Sequence, residues 1–194
     1  MTMRAGRLAI AGLGVGLLLA GCGQGGVDWS AKENVLMRED TAQKDGGVEL
    51  QYWSLIDSPC KPIFDALSDV EHYRDFIPGV DSTSLLASSG DTKTVLIAQR
   101  VIGRQNNAKV EWKFDAAKPR IDFKTLASDF SFNTGYYDFE QSADGKRCLL
   151  HTVFLVKQKE GTGEMVAENQ LAQTTRDAYV AAATAVKKRA AGAK

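Results

Sequence analysis

The stretch 60–80 constrains the fold more than any other part of the sequence. It holds Pro62 where a first helical turn tolerates proline, then a second short segment with an apolar stripe, then a stop at Pro78-Gly79. One strand-like run precedes this stretch and several follow it. A β-rich chain with one helical detour after its first strand, and one long helix at its end, has few ways to fold.

Period-two alternation dominates the chain from Val48 to Lys157. In the clearest run, residues 108–115, apolar side chains alternate with charged ones, which predicts one buried face and one solvated face. Turn residues such as those at 88–91 and 143–145 separate the runs. The predicted strands are 48–56, 80–87, 92–102, 108–115, 121–124, 135–141 and 147–157.

A long helix is predicted over residues 164–189, directly after the break at Gly161-Thr162-Gly163. Its apolar side includes Leu171 and Tyr179, and cations gather at its carboxyl end, where they suit the helix dipole. No internal repeat is visible, and 194 residues suffice for one domain with a sizeable core. We therefore expect a single α+β domain over residues 48–194.

The N-terminus has the pattern of a signal peptide over residues 1–21. Arg4 and Arg7 precede an uncharged apolar run that is shorter than the roughly 20 residues of a membrane-spanning helix. The run ends Leu19-Ala20-Gly21-Cys22, which resembles the lipobox of bacterial lipoproteins. That resemblance implies lipidation of Cys22, and with Gly23 next it implies the outer membrane of a Gram-negative envelope, facing the periplasm. A plain secretory signal, or a free thiol at Cys22, is the alternative.

Residues 22–47 carry several glycines around a polar stretch, and we expect a lipidated cysteine followed by a flexible tether. Residues 34–38 within it fit either an extra strand or a short helix. The formal net charge of zero gives no basic footprint, so no nucleic-acid partner is expected. Membrane attachment would come from acyl chains on Cys22.

The segment Phe64-Asp65-Ala66-Leu67-Ser68-Asp69-Val70-Glu71-His72-Tyr73, followed by Phe76-Ile77-Pro78-Gly79-Val80, resembles a recurring segment of the START-like (SRPBCC) superfamily. Tyr137-Asp138-Phe139 is similar to a later strand of that superfamily, which includes polyketide cyclases, coenzyme Q-binding proteins and lipid transfer domains. The resemblance covers about residues 48–190. It implies a helix-grip fold: a seven-stranded curved antiparallel sheet, two short helices after strand 1, and a long C-terminal helix.

In that fold the space between sheet and terminal helix implies a pocket for a hydrophobic small molecule such as a lipid, quinone or isoprenoid. The ligand-binding residues this implies are Phe76, Ile77, Trp112, Phe114, Phe123, Tyr137, Phe139, His151, Leu171 and Tyr179. Any one of these apolar side chains also fits a filled core. His151 faces the pocket only if its strand has the parity that turns Val153 and Leu155 inward.

The same topology pairs the first and last strands and so implies that Cys60 lies near Cys148. An exported chain meets an oxidising compartment, which makes a disulfide between them possible. The sequence leaves open whether the two thiols are bonded, because disulfide geometry is exacting.

Three functions remain open from the sequence. The first is a membrane-anchored lipoprotein that binds a hydrophobic molecule. The second is an enzyme of the cyclase or aromatase type using His151 and Tyr137, although no convincing acid–base pair is visible and no catalytic residue is assigned. The third is an envelope interaction module with a vestigial cavity. The two histidines lack metal-ligand spacing, and no nucleotide loop is present, so no metal or cofactor is predicted.

Overall fold

A computed structural model describes residues 27–101, 103–159 and 167–192. The signal peptide, Cys22 and the Gly161–Gly163 break lie outside these described residues. The elements are β1 Asn34–Lys44, β2 Gly47–Ile56, α1 Cys60–Ser68, a 3₁₀ helix Val70–His72, α2 Tyr73–Phe76, β3 Val80–Ser89, β4 Thr92–Val101, β5 Arg104–Asp115, β6 Arg120–Ser128, β7 Ser131–Gln141, β8 Cys148–Gln158 and α3 Glu168–Gly192.

All eight strands form one antiparallel sheet in the order β1-β2-β8-β7-β6-β5-β4-β3. The first and last strands of the predicted set, β2 and β8, pair next to the edge strand β1, with Trp53 opposite His151. Hairpins connect β3 through β8 in sequence order, so β1 and β3 are the edges. The α+β helix-grip fold is therefore confirmed, with eight strands instead of seven.

The additional strand, β1, corrects the expected tether. Residues 34–44 pair with β2 rather than forming a free linker, which also resolves 34–38 as strand. Their side chains are mostly exposed and polar, so no buried alternation marks them in the sequence. The preceding residues 27–33 are held as well, because Arg147 Nη1 donates to the Ala31 carbonyl at 2.8 Å.

The core lies on the concave face of the sheet, under α3 and the short helices. Inward residues of the strands alternate with solvated ones, most clearly along β5, where Ala108, Val110 and Trp112 are buried. From α3, Tyr179, Val186 and other small or apolar residues complete it. Within the described residues, no helix is long and apolar enough to cross a membrane.

The helical detour behaves as the sequence predicts. In α1, Ile63, Ala66 and Leu67 are buried against the sheet and α3. The Tyr73 hydroxyl donates to the Leu67 carbonyl, which fixes α2 against α1. The Pro78-Gly79 turn ends the segment with Gly79 at a φ of +82°, a conformation that favours glycine.

A disulfide joins Cys60, the first residue of α1, to Cys148, the first residue of β8. Both half-cystines are buried, and their Cα atoms lie 4.8 Å apart. The bond ties the detour to β8 and closes a sequence separation of 88 residues.

Candidate functional site

Two adjoining cavities lie between the concave face of the sheet and α3. The first, of about 230 Å³, runs along α3 and is called the helix-side cavity. The second, of about 180 Å³, lies over β4–β7 and is called the sheet-side cavity. Residues common to both walls include Ile77, Tyr137, Phe154 and Ala182. The interior of this protein is therefore not filled by side chains.

Aromatic rings build the wall of the sheet-side cavity. Trp112 of β5 lies 5.3 Å from Phe123 of β6, and Phe123 lies 5.4 Å from Tyr137 of β7, measured between ring centroids. The rings of Trp112 and Tyr137 are nearly parallel, at 7° and 6.5 Å. Gly135 makes room for this arrangement, because a Cβ there would lie 2.8 Å from Phe123 Cζ.

Small residues of α3 leave the helix-side cavity open. Ala178, Ala182 and Ala183 line it where larger side chains would fill it. Tyr179, at the same surface, is fixed by two contacts: its ring stacks on Tyr52 at 4.4 Å, and its hydroxyl bonds Ser54 Oγ. Because Ser54 gives its only hydroxyl hydrogen to the Val35 carbonyl, Tyr179 is the donor.

The segment from Asp69 to Val80, here called the lid, covers one end of the cavities. Ile77 faces both cavities, and Pro78 and Gly79 line the helix-side cavity while staying exposed. Arg189 of α3 holds the lid: its guanidinium bonds Asp69 and lies 4.3 Å from the Phe76 ring centroid. The helix-side cavity opens to solvent between the lid and α3.

The cavity interior is uncharged. Among the described residues, Arg100 is the one charged residue that borders either cavity. Its exposed side chain lies on the face of β4 opposite to the inward Ile97 and Gln99 and pairs there with Asp81. Burial raises the pKa of Tyr73, Tyr137 and Tyr179, so their phenols stay neutral at physiological pH. Trp112 Nε1 is buried without a hydrogen-bond partner in the described structure. The site suits an apolar, uncharged occupant.

Comparison with known proteins agrees with this geometry. The family model described as polyketide cyclase / dehydrase and lipid transport matches residues 56–181, more than half of the chain. The chain belongs to this family. Comparison with curated proteins found no relative of significant sequence similarity.

Solved structures share the fold of this chain. An aromatase/cyclase from Streptomyces sp. R1128 is 18% identical with a TM-score of 0.67, over 74% of this chain and 93% of that one. A START superfamily protein from Mycobacterium smegmatis is 15% identical with a TM-score of 0.64, over 75% and 99%. A STAR-related lipid transfer protein from Xanthomonas axonopodis is 12% identical with a TM-score of 0.59, over 79% and 98%. At such identities the likeness concerns the fold.

Most of the predicted pocket residues lie at the cavities of this START-like domain. Those that line them are Ile77, Trp112, Phe123, Tyr137, Leu171 and Tyr179. Phe76, Phe114 and Phe139 line neither cavity but pack against the main core, Phe139 at 5.4 Å from Phe64. These three predicted contacts therefore support the cavity wall without facing the space.

His151 is a correction. It points to the opposite face of the sheet from Leu150, Phe154 and the cavities, where its ring stacks on Trp53 at 4.5 Å. Burial lowers the pKa of His151, and the charges of Arg38 and Arg120 lower it further. The even-numbered residues of β8 face the cavities, so His151 and Val153 both face outward. The sequence alone could not predict which set of β8 residues faces inward.

Sequence reasoning missed several cavity residues. Phe154 lines both cavities, and its ring centroid lies 5.5 Å from that of Phe123. The alternation of β8 predicts it when the even-numbered residues are taken to face inward. Asn133 also lines both, and its Oδ1 is buried without a partner in the described structure. Asn133 lies in the part of β7 that precedes the predicted strand start. Within the described residues, no group of His, Cys, Asp and Glu side chains fits a metal ion.

Proposed function

We propose that this protein is a lipid-anchored envelope lipoprotein whose START-like domain binds a hydrophobic small molecule, of the lipid, quinone or isoprenoid kind. The observation that carries the proposal is the uncharged, aromatic-lined pair of cavities under α3. Apolar pockets with a few polar groups are typical of small-molecule binding sites. The family itself includes both polyketide cyclases and lipid transport proteins by its description.

The composition of the cavity walls favours binding over cyclase chemistry. A general base needs a group that accepts a proton near neutral pH within reach of the substrate. The titratable side chains of the described cavity walls are tyrosines, whose pKa burial raises. His151, the base considered from the sequence, lies on the other face of the sheet.

The unfilled interior favours binding over an interaction module with a vestigial cavity. Such a module gains nothing from an internal void, because empty space forfeits packing contacts. Here α3 carries alanines at 178, 182 and 183 along the cavity, although larger side chains would fill it. A retained space of this kind suits an occupant.

The chain before the domain supports attachment close to a bilayer. The lipobox-like Leu19-Ala20-Gly21-Cys22 would leave Cys22 as the acylated N-terminus. Residues 27–33 are already held to the domain through Arg147. Residues 22–26 then span at most about 18 Å when extended. The domain would therefore lie closer to the membrane than it would on a free tether of residues 22–47.

Ligand binding is tested by filling the cavity. In Ala182→Trp the new indole would occupy space between the two cavities, whereas in Thr184→Trp it would extend from the exposed side of α3. Titration with Nile red, a neutral hydrophobic dye, should show saturable binding to wild type and Thr184→Trp and at least tenfold weaker binding to Ala182→Trp. Equal binding by all three proteins would refute the site.

Ala182→Trp requires a check that the variant folds, by circular dichroism and thermal unfolding. If it does not fold, Ala178→Trp serves instead, because Ala178 lines the helix-side cavity but is exposed.

Anchoring is tested separately with Cys22→Ala in the full precursor. We expect the wild type in the membrane fraction with an acyl mass increase, and the variant in the soluble fraction. Membrane retention of the variant would contradict lipid anchoring.

A further inference from the structure

A band of uncharged polar side chains crosses the inward face of β4–β7 at one end of the sheet-side cavity. The members of this band are Gln99, Asn106, Thr125, Ser131 and Asn133. Strand pairing sets Gln99 opposite Asn106, and the Asn133 backbone N–H donates to Thr125 Oγ1 at 3.1 Å. The aromatic wall of the cavity lies farther along β5–β7. The sheet-side cavity therefore has a polar end and an aromatic end.

Asn133 brings an unpaired amide oxygen to this polar end. Residues two apart on a strand share a face of the sheet, and a Cβ added to Gly135 would lie 2.8 Å from Phe123 Cζ of the aromatic wall. Asn133 therefore faces inward with Gly135, and it lines both cavities. Its Oδ1 is buried without a hydrogen-bond partner in the described structure. Burying an amide oxygen unpaired is unfavourable, and an occupant that supplies a donor would relieve that cost.

The rest of the band divides into side chains that hold the protein together and side chains that add to the site. Asn106 Oδ1 accepts from Ser128 Oγ at 2.8 Å, and Thr125 Oγ1 accepts a backbone N–H of β7. These two therefore serve the fold. Gln99 has the inward parity of the buried Ile97 and lines both cavities, so it adds a second amide to the same space.

Resting on the hydrophobic-ligand function proposed above, we propose that the ligand is an apolar alcohol or phenol whose hydroxyl group donates to Asn133 Oδ1. A hydroxyl is neutral, as the uncharged interior requires. It supplies the hydrogen that Oδ1 lacks, and its oxygen can accept in turn from an amide N–H, which Asn133 and Gln99 both carry. A ketone with the same chain offers Oδ1 no hydrogen.

The test compares two neutral ligands of equal chain length, decan-1-ol and decan-2-one, of which only the alcohol carries a donor. Displacement of Nile red, after its own affinity has been measured for each protein, gives their affinities for wild type and for Asn133→Leu. Leucine is close to asparagine in size and has no polar side-chain atom. Decan-1-ol should bind the variant about three- to tenfold more weakly, as expected for one lost hydrogen bond. Decan-2-one should bind both proteins equally.

Thr134→Val is the matched control for Asn133→Leu. It removes a polar group from the next residue of β7, which shares the outward parity of Tyr136, a contact of His151 on the outer face. Both ligands should keep their wild-type affinities in this variant. Urea unfolding without ligand should show Asn133→Leu to be at least as stable as wild type, because a buried polar atom without a partner is removed. If Asn133→Leu does not fold, Asn133→Val, with a smaller side chain that suits a strand, replaces it.

The outcomes separate this inference from the function on which it rests. If the substitution at Asn133 weakens the alcohol and the ketone equally, or weakens neither, the hydroxyl contact is wrong while hydrophobic binding stands. A ligand-free variant that is less stable than wild type would assign the Asn133 amide a structural role instead and would also overturn the inference. If wild type binds neither Nile red nor either ligand, the proposed function itself fails.

Discussion

Two buried tyrosines differ in one hydrogen bond and form a matched pair. The Tyr73 hydroxyl donates to the Leu67 carbonyl, whereas the Tyr52 hydroxyl is buried without a partner in the described structure. Both side chains are almost fully buried, at 7% and 1% exposure. Deleting a hydroxyl therefore has opposite consequences at the two sites.

We predict that Tyr73→Phe lowers the free energy of unfolding by about 1–3 kcal/mol, because it leaves the Leu67 carbonyl unpaired. Tyr52→Phe should leave it unchanged or raise it slightly, because no bond is lost and a buried polar atom disappears. Urea unfolding of both variants measures the difference. A larger loss for Tyr52→Phe than for Tyr73→Phe would contradict the hydrogen-bond assignment.

The two histidines have pKa values displaced in opposite directions. Burial lowers the pKa of His151 below its ordinary value of 6.5. The hydrogen bond to Asp69, with Nδ1 2.5 Å from Oδ1, raises the pKa of His72. His151 is thus harder to protonate in the folded protein than in the unfolded chain, so it opposes folding as the pH falls. His72 contributes stability that is present below 6.5 and lost as pH rises through its folded pKa.

We therefore predict that the unfolding free energy falls less between about pH 7.5 and pH 5 in His151→Gln than in wild type, since glutamine does not titrate. The unfolding free energy of His72→Gln should fall more than that of wild type over the same pH range, because the variant lacks the contribution of the protonated imidazole. Urea unfolding at both pH values measures this, and NMR titration of the two imidazoles gives their pKa values directly. An imidazole of His151 that titrates above 6.5 would contradict its buried placement.

At the scale of elements, the disulfide holds the helical detour to the sheet. Cys60 begins α1 and Cys148 begins β8, and the bond crosses a separation of 88 residues. In the chain-entropy account, a long loop closed by a disulfide loses much freedom in the unfolded state. We predict that Cys60→Ala/Cys148→Ala lowers the unfolding free energy by about 2–5 kcal/mol.

Thermal and urea unfolding with and without a reductant give the check on this prediction. Reductant should destabilise the wild type by a similar amount and leave the double-alanine variant unchanged. If reductant leaves the stability of the wild type unchanged, even when it is added to the unfolded chain, the two cysteines are not bonded.

In the described structure, Arg189 of α3 makes an ion pair and a cation–π contact with the lid. Arg189 bonds Asp69 and lies over the Phe76 ring, so these contacts must break before the lid leaves α3. We predict that Arg189→Ala releases bound Nile red about three- to tenfold faster, from a cation–π contact and a partly exposed ion pair. Lys188→Ala, an exposed neighbour, is the control in stopped-flow release. Equal release rates would show that the lid does not limit exchange.

At the scale of the molecule, the sequence predicts what depends on local pattern. The detour at 60–80, the alternation of β5 and the terminal helix were visible because turn residues and periodicity mark them. The edge strand β1 was anticipated only in part, with residues 34–38 left open as a strand or a short helix, because NVLMREDTAQK is mostly exposed. An exposed edge needs no apolar alternation.

In the candidate site, too, local sequence pattern predicts some residues and not others. Trp112, Phe123 and Tyr137 could be predicted because inward parity on β5–β7 follows from neighbouring charged residues. The parity of β8 could not be predicted, since both faces of CLLHTVFLVKQ carry apolar side chains. His151 was therefore a candidate on the condition of one parity, and the structure has the other. Phe154 became visible only when strand register brought it to the cavities.

Native mass spectrometry of the mature protein, purified from cells without added ligand, tests whether the space between the sheet and α3 is a ligand site. We expect one hydrophobic small molecule per chain, released on unfolding, for wild type and Thr184→Trp, and none for Ala182→Trp. An empty wild-type protein that also takes up no added amphiphile, or a folded Ala182→Trp that retains the molecule, would contradict a ligand site between the sheet and α3.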